Sequence, residues 1–202
     1  MGKKQTKDNK IKSELLEGNS PFKNRILISM PSLEFDIFNK TIIYICAHSD
    51  AGAMGIVLNQ KFKEMNFFDL FKQLDLPETE LKVEPNVHFG GPVEVGRGFV
   101  LHSTDFICDD TVKVDTNLGV TGTTDILKAI ATGEGPNKSI FALGYAGWGP
   151  EQLEQEIYNN NWLIIDADDD LIFDTDLHNK WEKALESIGV NPSTLSSLAG
   201  HS

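Results

Sequence analysis

Hydrophobic and polar positions along the chain follow two alternating periods. Residues 25–30 (RILISM) form a short apolar run closed by Pro31, and residues 41–48 (TIIYICAH) are β-branched or aromatic at most positions. A run that is apolar on both faces predicts a strand covered on both sides. The turn formers Ser49 to Gly52 follow, and residues 53–60 (AMGIVLNQ) are the expected hairpin partner. The period then lengthens: Phe67, Leu70, Phe71 and Leu74 fall on one helical face behind Asn66, an N-cap with Asp69 at the third position.

Residues 87–103 (VHFGGPVEVGRGFVLHS) hold a Gly-Gly-Pro turn, two glycines flanking Arg97 and an extended run. Glycine at that density marks bends, bulges or close backbone approach. Residues 123–136 (TTDILKAIATGEGP) predict a capped helix with Ile126, Leu127 and Ile130 inward and Gly133 as its stop. Residues 139–147 read as a strand, 150–160 as a helix, and 161–175 (NWLIIDADDDLIFDT) as two extended runs about an acidic turn. In the last helix Trp181, Leu185 and Ile188 recur at i, i+4 and i+7, with Gly189 at its end. The tail from 190 to 202 is expected to lie along the surface.

Helices and strands intersperse without βαβ alternation, and neighbouring strands suggest hairpins. The expected class is α+β: a single compact domain with a mixed, mostly antiparallel sheet and covering helices. Residues 1–20 are polar and aperiodic and read as a disordered basic N-terminal extension, leaving 21–202 as the domain.

Charge narrows the function classes. The formal net charge is −12, yet residues 1–12 carry five lysines against Asp8, and residues 141–202 carry eleven acids against two lysines. Such a field repels the phosphate backbone, so direct nucleic-acid binding by the folded part is disfavoured, and only the basic extension offers a route to DNA. No apolar run approaches the roughly 20 residues that span a bilayer, and the start of the chain lacks the apolar stretch of a secretory signal. Cys46 and Cys108 make no disulfide framework. These readings point to a cytoplasmic protein without a membrane partner.

Four stretches offer chemistry. Residues 141–157 (FALGYAGWGPEQLEQEI) resemble a glycine-rich phosphate loop, but Pro150 supplies no N–H, and Glu151 and Glu154 place negative charge where a phosphate would sit. Gly144, Gly147 and Gly149 then read as structural requirements of a tight strand-to-helix bend, as do Gly90 and Gly91 of their own turn, with Tyr145 and Trp148 packing on either side. Residues 133–139 (GEGPNKS) have the reverse element order for a phosphate loop. Residues 166–176 place Asp166, Asp168 and Asp170 as in a calcium loop, but Leu171 and Leu177 occupy the positions that need Gly and Glu, so the acids are expected to cap a hairpin. Cys46 and His48 share a strand and His102 ends another, without a motif that completes a metal site or nucleophile. No pattern calls for a cofactor or a metal, and no catalytic residue is assigned.

Read together, ILISMPSLEFDIFNKTIIYICAHSDAGAMGIVLNQ, HFGGPVEVGRGFVLHS, GTTDILKAIATGEGP, ALGYAGWGPEQLEQEI, NWLIIDAD and KWEKALESIGV resemble the YqgE/AlgH family over about Arg25 to His201. The chain departs from the family pattern at Lys40, Ala47, Gln60-Lys61 and Glu151, where Arg, Glu, Arg-Pro and Gly are usual. The resemblance implies a compact α+β domain with a small barrel-like sheet arrangement and surrounding helices. It also implies a regulator of gene expression in exopolysaccharide production, with no agreed biochemical activity and no catalytic residue to carry over; the acidic balance favours an indirect route.

The first functional reading is therefore a non-enzymatic binding or regulatory protein. Its partner, a protein or a small molecule, would meet His48, Arg97, His102, Tyr145 and Trp148 near the glycine-rich segments, and Trp148→Ala is expected to leave the fold intact. The alternative is an uncharacterised hydrolase or metal-dependent enzyme using Cys46, His48 and His102.

Overall fold

The structure is a computed structural model and describes residues 21–31, 37–62, 86–122, 124–192 and 195. The basic extension 1–20, the helix expected at 66–74 and residues 196–202 lie outside the described residues. The elements in order are β1 (Arg25–Ser29), β2 (Ile42–Ser49), β3 (Gly52–Val57), β4 (Val87–Phe89), β5 (Val93–Ser103), β6 (Val112–Lys113), β7 (Leu118–Thr121), α1 (Thr124–Thr132), β8 (Ser139–Trp148), α2 (Gln152–Tyr158), β9 (Trp162–Asp166), a π-helical turn (Asp170–Asp174) and α3 (Lys180–Ser187). The chain divides into two units, residues 1–59 with 146–202, and residues 60–145. β8 begins in the second unit and ends in the first.

In the first unit the strands run antiparallel in the order β9, β1, β2, β3, followed by residues 146–148 of β8. β2 and β3 form the expected hairpin, and β2 is buried except at its last residue, as its two-sided apolar run requires. Leu27, Ile43, Ile45, Val57, Trp148, Leu153 and Trp162 belong to one apolar core cluster.

In the second unit β6, β7, β5 and β8 are antiparallel neighbours, and β4 lies parallel to β8. α1 buries Ile126, Leu127 and Ile130 and ends at Gly133, whose φ of 74° is the left-handed stop expected there. Its apolar face joins Val87, Val100, Phe141 and Leu143. The class is α+β with mostly antiparallel pairing.

Two expectations are corrected. Residues 171–175 do not form a second strand: Leu171 and Ile172 lie in the π-helical turn, where the Leu171 N–H donates to Asp168 Oδ1 at 2.8 Å. The Lys180 ammonium, itself buried, donates to the carbonyls of Leu171 and Ile172 at 2.5 Å each. A cation from nine residues downstream thus satisfies acceptors that a strand would have used in a ladder. Burial pulls Lys180 down to about 8, against the opposing pull of Asp174 and Asp176. The second correction is Ile188, expected inward but 42% exposed, because α3 ends at Ser187 and Gly189 turns left-handed immediately after.

Candidate functional site

In the second unit, Val93 on β5 faces Tyr145 on β8, and Gly98 faces Leu143. Glu94, Val95, Gly96 and Arg97 therefore stand against Gly144 alone, and the surplus backbone leaves the sheet as a bulge whose residues are all exposed. Two local features impose this. Glu94 takes φ 50°, a conformation rare outside glycine and asparagine. Gly144, at φ 73°, leaves no room beneath: a Cβ there would lie 2.4 Å from Gly91 O and 2.9 Å from Val93 O. Gly90 faces the same crowding, since its Cβ would meet Gly144 O at 2.2 Å.

Side chains extend this frame. Arg97 lies over the Phe99 ring at 5.1 Å and reaches Glu94 Oε2 at 3.3 Å. Phe99 meets half-buried Tyr145 edge-to-face at 5.7 Å. The guanidinium is thus held on an aromatic support by a cation–π contact and tied to the strained residue of the bulge. Val95, at 47% exposure, stands in water between them. Arg97 pairs with Glu94 while remaining at the surface.

In the first unit, Trp148 ends its strand inside the core. It is 7% exposed, and its Nε1 donates to Glu156 Oε2 at 2.8 Å; Trp162 Nε1 donates to the same oxygen at 2.7 Å, and the two rings meet edge-to-face at 6.1 Å. Gln152 Nε2 donates to Glu156 Oε1 at 2.9 Å. One carboxylate thus gathers three donors from β8, β9 and α2. Trp148 is a core member, which corrects the expectation that it could be truncated at no cost to the fold. Tyr145 and Trp148, adjacent in the sequence pattern, serve two different environments.

The start of α2 is held without a cap from its first acid. Glu151, at φ 59°, makes no side-chain cap, and the Gly149 N–H is instead accepted by Gln152 Oε1 at 3.0 Å. Glu154 turns to buried His48, whose Nε2 lies 2.8 Å from its Oε1, and Phe22 meets the His48 ring edge-on at 5.0 Å. Gly147 and Gly149 lack the positive φ of Gly144, and around the missing Gly149 side chain the nearest atom is Gln152 Oε1 at 3.8 Å.

The residues of the enzymatic alternative are each engaged locally. Cys46 is fully buried, and burial pushes its thiol far above the ordinary range, removing the thiolate that nucleophilic chemistry requires. His102 is buried between the Ser103 carbonyl and the Thr121 hydroxyl, and desolvation lowers its pKa. Among the described residues no group of three or more His, Cys, Asp or Glu is placed to hold a metal ion. A cavity of about 480 Å³ in the first unit is lined by Asp166, Asp168, Asp170 and Lys183 with Ile165, Leu171 and Ile188. Sequence reasoning missed Glu94, Phe99, Glu156 and Lys180. For Phe99 the signal was available in its i+2 spacing from Arg97, which puts both on one face of a strand.

A family model described as AlgH-like (DUF179) matches residues 26–193. The chain belongs to the AlgH-like family. A UPF0301 protein of Rhodopseudomonas palustris (strain HaA2) is 49% identical over 185 residues, covering 88% of this chain and 85% of the relative. One from Nitrobacter hamburgensis is 50% identical over 187 residues, covering 88% and 86%. The solution structure of the AlgH protein from Pseudomonas aeruginosa matches with a TM-score of 0.74 at 37% identity, covering 92% of this chain and 100% of that one. A crystal structure of a Corynebacterium diphtheriae protein matches at TM-score 0.65 and 20% identity over 92% of this chain and 95% of that one, a likeness of fold alone. The names of the two UPF0301 proteins and of the AlgH protein assign no reaction, ligand or partner. No helix among the described residues is long and apolar enough to cross a membrane.

Proposed function

We propose that the chain is a non-enzymatic binding protein that regulates through contact with another protein, with the Glu94–Arg97 bulge as its recognition element. The observation that carries this reading is an exposed four-residue excursion held by a non-glycine residue at φ 50°. Such conformations cost about 1–3 kcal/mol and persist where the surroundings over-determine them, often at binding sites. Arg97 supplies a guanidinium supported on an aromatic ring, a residue type enriched at the energetic centres of protein interfaces, beside the exposed apolar side chain of Val95. With a net charge of −12, the route to gene expression that the family resemblance implies runs through a protein rather than through direct DNA contact. The free thiols of Cys46 and Cys108 support a reducing, cytoplasmic setting.

The test is an affinity screen with the intact chain, run in parallel on Val95→Asp, Arg97→Glu and Gly149→Ala, with melting temperatures recorded for each. A partner retained by wild type and Gly149→Ala, but lost from both bulge variants at unchanged melting temperature, is expected. Identical partner profiles for all four proteins would contradict the reading.

A further inference from the structure

The second unit contains a partly buried chain of hydrogen bonds with a definite direction. His102 Nδ1 lies 2.9 Å from the Ser103 carbonyl, which can only accept, so the neutral ring carries its proton on Nδ1. Nε2 is then an acceptor, and the Thr121 hydroxyl, 2.8 Å away, donates to it. The single hydroxyl hydrogen of Thr121 is thereby used, so at the 2.7 Å contact between Thr111 and Thr121 it is Thr111 that donates. The Thr111 oxygen in turn accepts the Cys108 N–H at 2.9 Å, while the Thr111 N–H donates to the Cys108 carbonyl at 3.0 Å. One tautomer of one ring therefore orients every donor from β5 through β7 to the loop that precedes β6.

We propose that this relay is an acid-sensitive latch, in which neutral His102 ties the 104–111 loop to the sheet and protonated His102 reverses the relay and loosens the loop. Protonation turns Nε2 into a donor. The Thr121 hydrogen must then swing to Thr111, whose own hydroxyl hydrogen is displaced and whose oxygen must accept from both Thr121 and Cys108. The Thr111 oxygen can accept both, but its own hydrogen loses the Thr121 acceptor, and that unpaired donor weakens the closed loop and with it the hold on Phe106 and Cys108, which pack against the core of this unit.

The charges acting on His102 come from the loop itself. Asp105 and Asp110 favour the imidazolium, while burial opposes it more strongly and sets the balance below the ordinary 6.5. Opposite His102, β7 presents Gly119 and β8 presents Ser139, neither of which ionises. The sign follows. A histidine whose folded pKa is depressed takes up its proton later than the unfolded chain does, so its contribution is complete above 6.5 and is lost as pH falls from there through the folded value.

Long-range nitrogen–proton NMR on the full chain reads the tautomer directly, and amide exchange at Cys108, corrected for intrinsic rate, reads the latch. The expected result is an Nδ1–H tautomer at neutral pH, with Cys108 exchange rising about fivefold as His102 protonates, the effect of losing one hydrogen bond. Thr121→Val is expected to remove that pH dependence while His102 still titrates. An Nε2–H tautomer at neutral pH, or Cys108 protection unchanged across the His102 midpoint, would overturn the proposal. Both readouts are made on the wild-type chain, so they decide even if Thr121→Val fails to fold.

Discussion

The bulge of β5 and the tryptophan corner of the first unit are built from similar materials: glycines, aromatic rings and a carboxylate. At the corner, Glu156 accepts from Trp148, Trp162 and Gln152, and the aromatic rings are buried. At the bulge, Glu94 is left-handed, Arg97 rests on Phe99 at the surface, and Val95 faces water. Glycine and aromatic density therefore does not mark a site by itself. What separates the two regions is where the backbone cost falls and whether the polar groups are consumed inside.

Substitutions break this comparison from opposite sides. Trp148→Ala should be the most damaging, about 4 kcal/mol from the cavity and the lost partner of Glu156. It should appear as a large fall in the urea midpoint. Gly144→Ala should cost about 3 kcal/mol, because the new methyl meets two carbonyl oxygens at a left-handed position, and thermal melting would report it. An unchanged midpoint for Trp148→Ala would remove the corner from the core; an unchanged melting temperature for Gly144→Ala would mean that the bulge is not pinned from below. The smallest effect is a gain. Glu151→Gly relieves a left-handed glutamate that makes no cap, and should stabilise by about 1 kcal/mol in the same melting assay. A loss there would show that the Glu151 side chain contributes through contacts outside its cap role.

How much of this was legible in the sequence depends on the range of the cause. β2, the β2–β3 hairpin and α1 follow from local runs, turn residues and a glycine stop, and they lie where those signals put them. The left-handed turn at Glu151 was foreshadowed by its standing where glycine is usual in the family. The π-helical turn was not legible, because Leu171, Ile172 and Phe173 read as a strand until Lys180 brings an ammonium to their carbonyls. Nor was the bulge: glutamate and valine carry no preference for leaving a sheet, and the excursion arises from pairing with β8 about 45 residues away. For the candidate site, Arg97 and Tyr145 were found by type, but their common link through Phe99 required the register.

The bulge is proposed to meet a partner that the corner does not. A photo-crosslinking amino acid placed at position 95, and separately at position 149 on the exposed turn before α2, tests it in living cells. A discrete protein adduct is expected from position 95 and none from 149. Adducts from 149 alone, or from neither position, would contradict it.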